Sequence, residues 1–110
     1  MADGREERIA RNEAISRVVN ERVRELRPEK GDELVGFLCE CGDESCTETV
    51  QLSIHEYERI RSEPTHFIVV PGHEVLSVEA PVDENERYLV VRKNPEEASI
   101  ALDTDPRLES

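Results

Sequence analysis

Three cysteines fall within eight residues, Cys39-Glu40-Cys41 and then Cys46, and the chain holds no other thiol. Three histidines follow, His55, His66 and His73. Clustered thiolates with one imidazole are the donor set of a closed tetrahedral zinc site. The spacing suits this chemistry. In an extended segment, residues two apart point to the same side, so Cys39 and Cys41 can present both sulfurs to one ion. Glu40 then turns away. Gly42 tolerates the positive φ with which the loop folds back to bring in Cys46. Structural zinc is the favoured reading. A C-x-C redox pair with Cys46 as a spare thiol, inert free thiols and an iron–sulfur centre are the others.

The fourth ligand comes from elsewhere in the fold. His73 follows Pro71-Gly72 in a tight turn, which can hold a ligand rigidly, and is the first choice. His66 opens an apolar strand and is the alternative metal ligand. His55 sits at the start of a short helix and reads as a surface residue. Water or a carboxylate such as Asp43 completes the set of candidates.

These donors need elements to carry them. The leading segment, residues 5–27, contains no Gly or Pro, and Pro28 stops it, so it reads as one helix. Ile9, Ile15, Val18, Val19, Val23 and Leu26 recur at spacings of three and four, an amphipathic stripe that needs a cover. Either it packs on its own domain, or it pairs with a twin as a short coiled coil with Asn12 in the seam. Ile15, Val18, Val19, Val23 and Leu26 are the expected interaction surface. Residues 28–32 read as a turn and hinge.

Residues 34–39 and 47–52 read as two strands of a hairpin with the cysteines at its tip. Ser53-Ile54-His55-Glu56 is a capping box that opens a short helix through Arg61. Residues 67–70, 75–80 and 88–92 read as further strands, the last two joined by the acidic turn 83–86. Residues 94–110 are polar and acidic and read as a disordered tail. The expected fold is α+β: an N-terminal amphipathic helix and hinge (1–32), a small zinc-binding domain with an antiparallel sheet and one short helix (33–93), and the tail (94–110).

Composition bounds the function. The 110 residues suffice for one domain. Only 36% are hydrophobic and 4% aromatic, so the core is thin, and thin cores in small domains are commonly stapled by a metal or a second subunit. The net charge of −12 repels phosphate backbones and anionic lipid, which argues against nucleic acid and membrane as partners. No apolar run approaches the ~20 residues of a spanning helix. The N-terminus lacks the apolar core of a signal peptide, so the cytoplasm is the expected compartment. There, an odd set of thiols is metal-bound or free rather than disulfide-bonded.

With these residues placed, the chain resembles a family of small bacterial proteins, mostly actinobacterial. The resemblance is carried by Arg11-Asn12-Glu13-Ala14, Val19-Asn20-Glu21, Phe37-Leu38-Cys39-Glu40-Cys41, Cys46, Glu56-Tyr57-Glu58, Val70-Pro71-Gly72-His73-Glu74 and Tyr88-Leu89-Val90-Val91. It implies a bacterial intracellular protein whose thiols and His73 belong together. It implies no activity and no substrate. The expected function is therefore protein interaction: an acidic, zinc-stabilised adaptor or regulator without enzymatic activity. Its partner is a protein, one form being a homodimer through the N-terminal helix. The rival is a thiol-based redox or metal sensor. A zinc hydrolase or deaminase is disfavoured, because His55-Glu56 follows the cysteines instead of preceding them at the deaminase spacing.

Overall fold

The computed structural model describes residues 4–26 and 32–108. Helix α1 spans Gly4–Glu25 and is followed by strands β1 (Val35–Leu38) and β2 (Thr49–Leu52). Helix α2 (Ile54–Arg61) leads to β3 (His66–Val69), β4 (Glu79–Glu84) and β5 (Leu89–Lys93). Helix α3 (Pro95–Asp103) and a 3-10 turn (Pro106–Leu108) close the chain. The class is α+β, as expected. The strands form two antiparallel sheets rather than one: the hairpin β1-β2, and a three-stranded sheet in the order β3-β5-β4. Among the described residues no helix is long and apolar enough to cross a membrane.

The sheet separates two apolar layers because its side chains alternate. Ile68 and Val90 face the hairpin and α2, where Phe37, Leu52, Ile54, Tyr57 and Ile60 gather. Phe67, Val69, Leu89 and Val91 face the other way, with Cys39, Cys41 and Ala101. Helix α2 starts where its capping box predicts: the Ser53 hydroxyl accepts from Glu56 N–H, and Glu56 accepts from Ser53 N–H.

Two expectations change. The strand at 75–80 begins only at Glu79 and runs through the acidic residues to Glu84. Pro81 fits this edge strand because the N–H it lacks is not needed on the open side of an edge, and a bulge between Pro81 and Asp83 absorbs Val82. The tail expected at 94–110 is folded over its described part. Ala101 is buried against the sheet, and Asp105 is buried with its carboxylate 2.5 Å from Arg61. Burying that ion pair and Ala101 offsets the ordering cost of a polar segment. The hinge expected at 28–32 lies outside the described residues except for Asp32.

Of the two covers expected for the α1 stripe, packing on its own domain is not the one found among the described residues. The buried positions of α1 are Ala10, Glu13, Ala14, Arg17 and Asn20. Ile15, Val18, Val19 and Leu26 are exposed, and Val23 is half-buried against the core. The reason is that the polar residues find partners on β1, β3 and β5 and in the loops beside them. The Arg17 guanidinium donates to the carbonyls of Pro64 and His66, and lies 3.7 Å above the Phe67 ring. Lys93 bonds Glu13 and, at 3.0 Å, Glu79. Helix α1 thus rests on β1, α3 and this ion network.

Candidate metal centre

The centre forms where the hairpin tip meets the end of β3. Cys39 N–H donates to Glu48 O at 2.9 Å, which prolongs the hairpin pairing by one step and fixes Cys39. Glu40 N–H donates to Ile68 O at 2.7 Å, tying the tip to β3. Gly42 then turns the chain with φ +82°. A side chain there would also collide with α1, since its Cβ would lie 2.8 Å from Ile9 O. Asp43 accepts from the Ser45 N–H and hydroxyl, and Cys46 N–H donates to Asp43 O at 3.0 Å. This small turn points Cys46 back. From the other side, Gly72 (φ +97°) and the bond from His73 N–H to Val70 O bring in the imidazole.

The result is one group: Cys39, Cys41, Cys46 and His73, with their ligand atoms all within 4.8 Å of one another. Three cysteines and a histidine so placed can hold a metal ion. The His73 Nδ1 stands 3.7 Å from both the Cys39 and Cys46 sulfurs. Around a tetrahedral ion with metal–sulfur bonds of about 2.3 Å and a metal–nitrogen bond of about 2.0 Å, that edge is roughly 3.5 Å. The donor set therefore fits in chemistry, and its two measured nitrogen–sulfur edges are close in length. The far nitrogen, Nε2, lies 3.0 Å from Glu48 Oε2. Glu48 is thus placed to accept a hydrogen bond from Nε2–H, which leaves the Nδ1 lone pair facing the sulfurs, the carboxylate–histidine arrangement common behind metal ligands.

Cys39 and Cys41 resist ionisation. Burial pushes Cys39 up, against the pull of Val70 N–H, which donates to its sulfur at 3.2 Å. Burial raises Cys41 as well. A metal must therefore displace protons on entry. A hollow of about 630 Å³ between α1 and the loop, lined by Arg8, Asn12, Cys41, Gly42 and His73 among others, gives it a way in.

His66 is not brought to the group. It begins β3, three residues from Val69, so it sits roughly 10 Å from the end of the strand that touches the site. Burial lowers its pKa, in keeping with a neutral ring in a half-buried position. His55 is exposed and pairs with Asp32 at 3.0 Å. Asp43 spends its carboxylate on Ser45, whose hydroxyl holds its pKa below the usual value.

Sequence reasoning missed Glu48, Glu40 and Asn20. Glu40 does turn away from the thiols, but into the protein. It is fully buried, accepting from Ile68 N–H at 2.9 Å and from Asn20 Nδ2 at 2.8 Å. Burial raises its pKa, with Arg17 opposing. Asn20 in turn clasps Leu38, donating to its carbonyl at 2.9 Å and accepting from its N–H at 2.7 Å. Asn12 Nδ2 reaches Gly42 O at 3.1 Å. Helix α1 is thereby bonded at two points to the strand and loop that carry the cysteines. A polar residue on each helical turn gives no signal of this in the sequence, because its partners lie far along the chain. No family model, curated protein or solved structure matches this chain.

Proposed function

We propose that the chain is a zinc-stabilised, non-enzymatic interaction protein in which the metal loop is the seat of a recognition helix. Cys39, Cys41, Cys46 and His73 hold the zinc. Glu40, between two of them, is the observation that carries the reading. Its carboxylate bonds Asn20, so the segment that the metal shapes is the segment on which α1 rests. The other side of the same helix presents Ile15, Val18, Val19 and Leu26 to solvent. A metal that fixes one side of a helix while the other side stays apolar and open suits a docking element. Zinc is favoured over other ions because three thiolates and one imidazole are its usual closed structural set. With four protein donors bound, a tetrahedral zinc has no position for water, which speaks against hydrolysis or deamination.

Elemental analysis of protein purified without added metal should find about one zinc per chain. Removing it with a chelator under reducing conditions should raise hydrogen exchange at the amides of α1 along with those of residues 38–46. Metal-free wild-type protein would sink the zinc assignment. Unchanged exchange in α1 after removal would sink the coupling.

The sensor reading draws on a separate observation. Cys46 and His73 are only half-buried, so one edge of the centre meets solvent. Metal loss at that edge would then release α1, and the same exchange experiment under mild peroxide reads it.

A further inference from the structure

The three thiols of the centre differ in access and in freedom. Cys39 and Cys41 are buried, while Cys46 is half-buried at the rim. Cys39 is held twice: its N–H donates to Glu48 O, and its sulfur accepts from Val70 N–H. Between Cys39 and Cys41, Glu40 is pinned by its own N–H on Ile68 O and by its carboxylate on Ile68 N–H and Asn20. A disulfide from Cys39 to Cys41 would close a ring across a residue that cannot turn. Cys46 is placed otherwise. It follows Asp43, Glu44 and Ser45, all exposed, and its N–H bonds only Asp43 O within the same turn. Its sulfur lies within 4.8 Å of the Cys41 sulfur and within that thiol's hydrogen-bonding reach. An S–S bond is about 2.05 Å long, so a small shift of the exposed turn joins the two.

We propose that Cys41 and Cys46 form a peroxide-driven disulfide that ejects the metal, with Cys46 as the thiol attacked first and Cys41 as the thiol that resolves it. The Cys46 thiolate attacks one oxygen of hydrogen peroxide. The S–O bond forms, the O–O bond breaks, hydroxide leaves and Cys46 becomes a sulfenic acid. The Cys41 thiolate then attacks that sulfur. The S–S bond forms, the S–O bond breaks and a second hydroxide leaves. Two electrons pass from the sulfurs to the peroxide, and two protons from solvent complete two waters. Cys39 and His73 remain, and two donors are too few to keep the ion, which leaves as a dication. The rim also selects the oxidant. Asp43, Glu44 and Glu48 are exposed beside Cys46. They repel an anionic disulfide such as oxidised glutathione and leave a neutral peroxide unopposed. The proposal deepens the sensor reading of the same site and rests on the zinc assignment.

The test uses the full chain, purified reduced and treated with about one equivalent of hydrogen peroxide beside a chromogenic chelator. Zinc should leave, about one ion per peroxide consumed. Cleavage after glutamate, at Glu40 and Glu44, puts each cysteine on its own fragment. The fragments bearing Cys41 and Cys46 should be joined, and the one bearing Cys39 should still alkylate. Dithiothreitol with added zinc should restore the bound metal. Oxidised glutathione should react slowly at low ionic strength, and its rate alone should rise severalfold at about 0.5 M salt, where the acidic rim is screened. Retained zinc overturns the proposal, as does a disulfide that includes Cys39 or zinc release with all three thiols still free. A glutathione rate indifferent to salt overturns the selection of oxidant. Zinc content is measured before peroxide is added. A chain without zinc at that stage fails the zinc reading, while the fragment map decides the disulfide by itself, so the two failures are distinct.

Discussion

The two nitrogens of His73 face different chemistry, the sulfurs on one side and Glu48 on the other, and this division predicts how substitutions will differ. Cys39→Ser, Cys41→Ser, Cys46→Ser and His73→Ala each remove a donor and should abolish stoichiometric metal with a large loss of stability. His66→Ala and His55→Ala should keep one metal per chain, and elemental analysis separates the two groups. Glu48→Gln keeps the shape but loses the charge that orients and polarises the ring. Its metal affinity should fall by about tenfold, the low end for such supporting partners because Glu48 is 61% exposed. Competition against a chromogenic chelator measures this, and wild-type affinity would remove Glu48 from the site. The thiols and His73 were legible in the sequence because ligand chemistry needs those residue types close together. Glu48 and Glu40 were not, because an acidic residue in a chain this acidic reads as solvated surface until a fold gives it a partner.

Helix α1 shows why an apolar stripe need not be the side that packs on its own domain. Its period predicted the helix and its apolar face. That face is outward because Glu13, Arg17 and Asn20 are satisfied inward by Lys93, by two carbonyls and by Leu38 with Glu40. Arg17 and Asn20 are fully buried, so the polar side is committed to the interior. Asn20→Ala leaves the Leu38 amide and one oxygen of Glu40 without partners, which costs roughly 1–3 kcal/mol. The loss should appear as a lower melting temperature and as faster exchange at Leu38. An Asn20→Ala protein as stable as the wild type would show that α1 is held by other contacts. Gly42→Ala combines strain at positive φ with a clash against Ile9 O, so it should loosen α1 and the metal loop together. The hairpin and α2 were readable because alternation and the capping box are local. The start of β4 at Glu79 was not, because an acidic edge strand is defined by its pairing with β5.

Across the molecule, charge closes the fold at both ends of the chain. Asp105 joins Arg61 and Arg17, and Arg107 reaches Glu21 on α1 and Glu58 on α2, at 2.5 and 2.7 Å. Composition alone suggested disorder in this segment, since only a folded body supplies the arginines that make Asp105 worth burying. Asp105→Ala should cost about 3–5 kcal/mol, because it strands two buried guanidinium groups. A melting temperature within a few degrees of wild type would mean the C-terminal segment is a loose appendage.

The same reliance on charge sets the acid limit of the fold. Glu56 is held to about 2 first by the hydrogen bond from Arg87, which lies 2.7 Å away. Burial opposes this, and the Ser53 amide and the Arg87 charge add to it. Its folded pKa is below the unfolded value of about 4.3, so its contribution is complete above that value and is lost as pH falls toward 2. Glu56→Gln is the test because Gln can still accept from Ser53 N–H and keep the helix cap, while it cannot attract Arg87 as an anion. Metal release in acid affects both proteins, so the informative quantity is the difference between them. Urea unfolding at pH 6 should show wild type more stable than Glu56→Gln. The gap should narrow below about pH 4.3 and close near pH 2. A gap of constant size down to pH 2 would mean that the carboxylate's charge contributes nothing to the fold and that only its shape does.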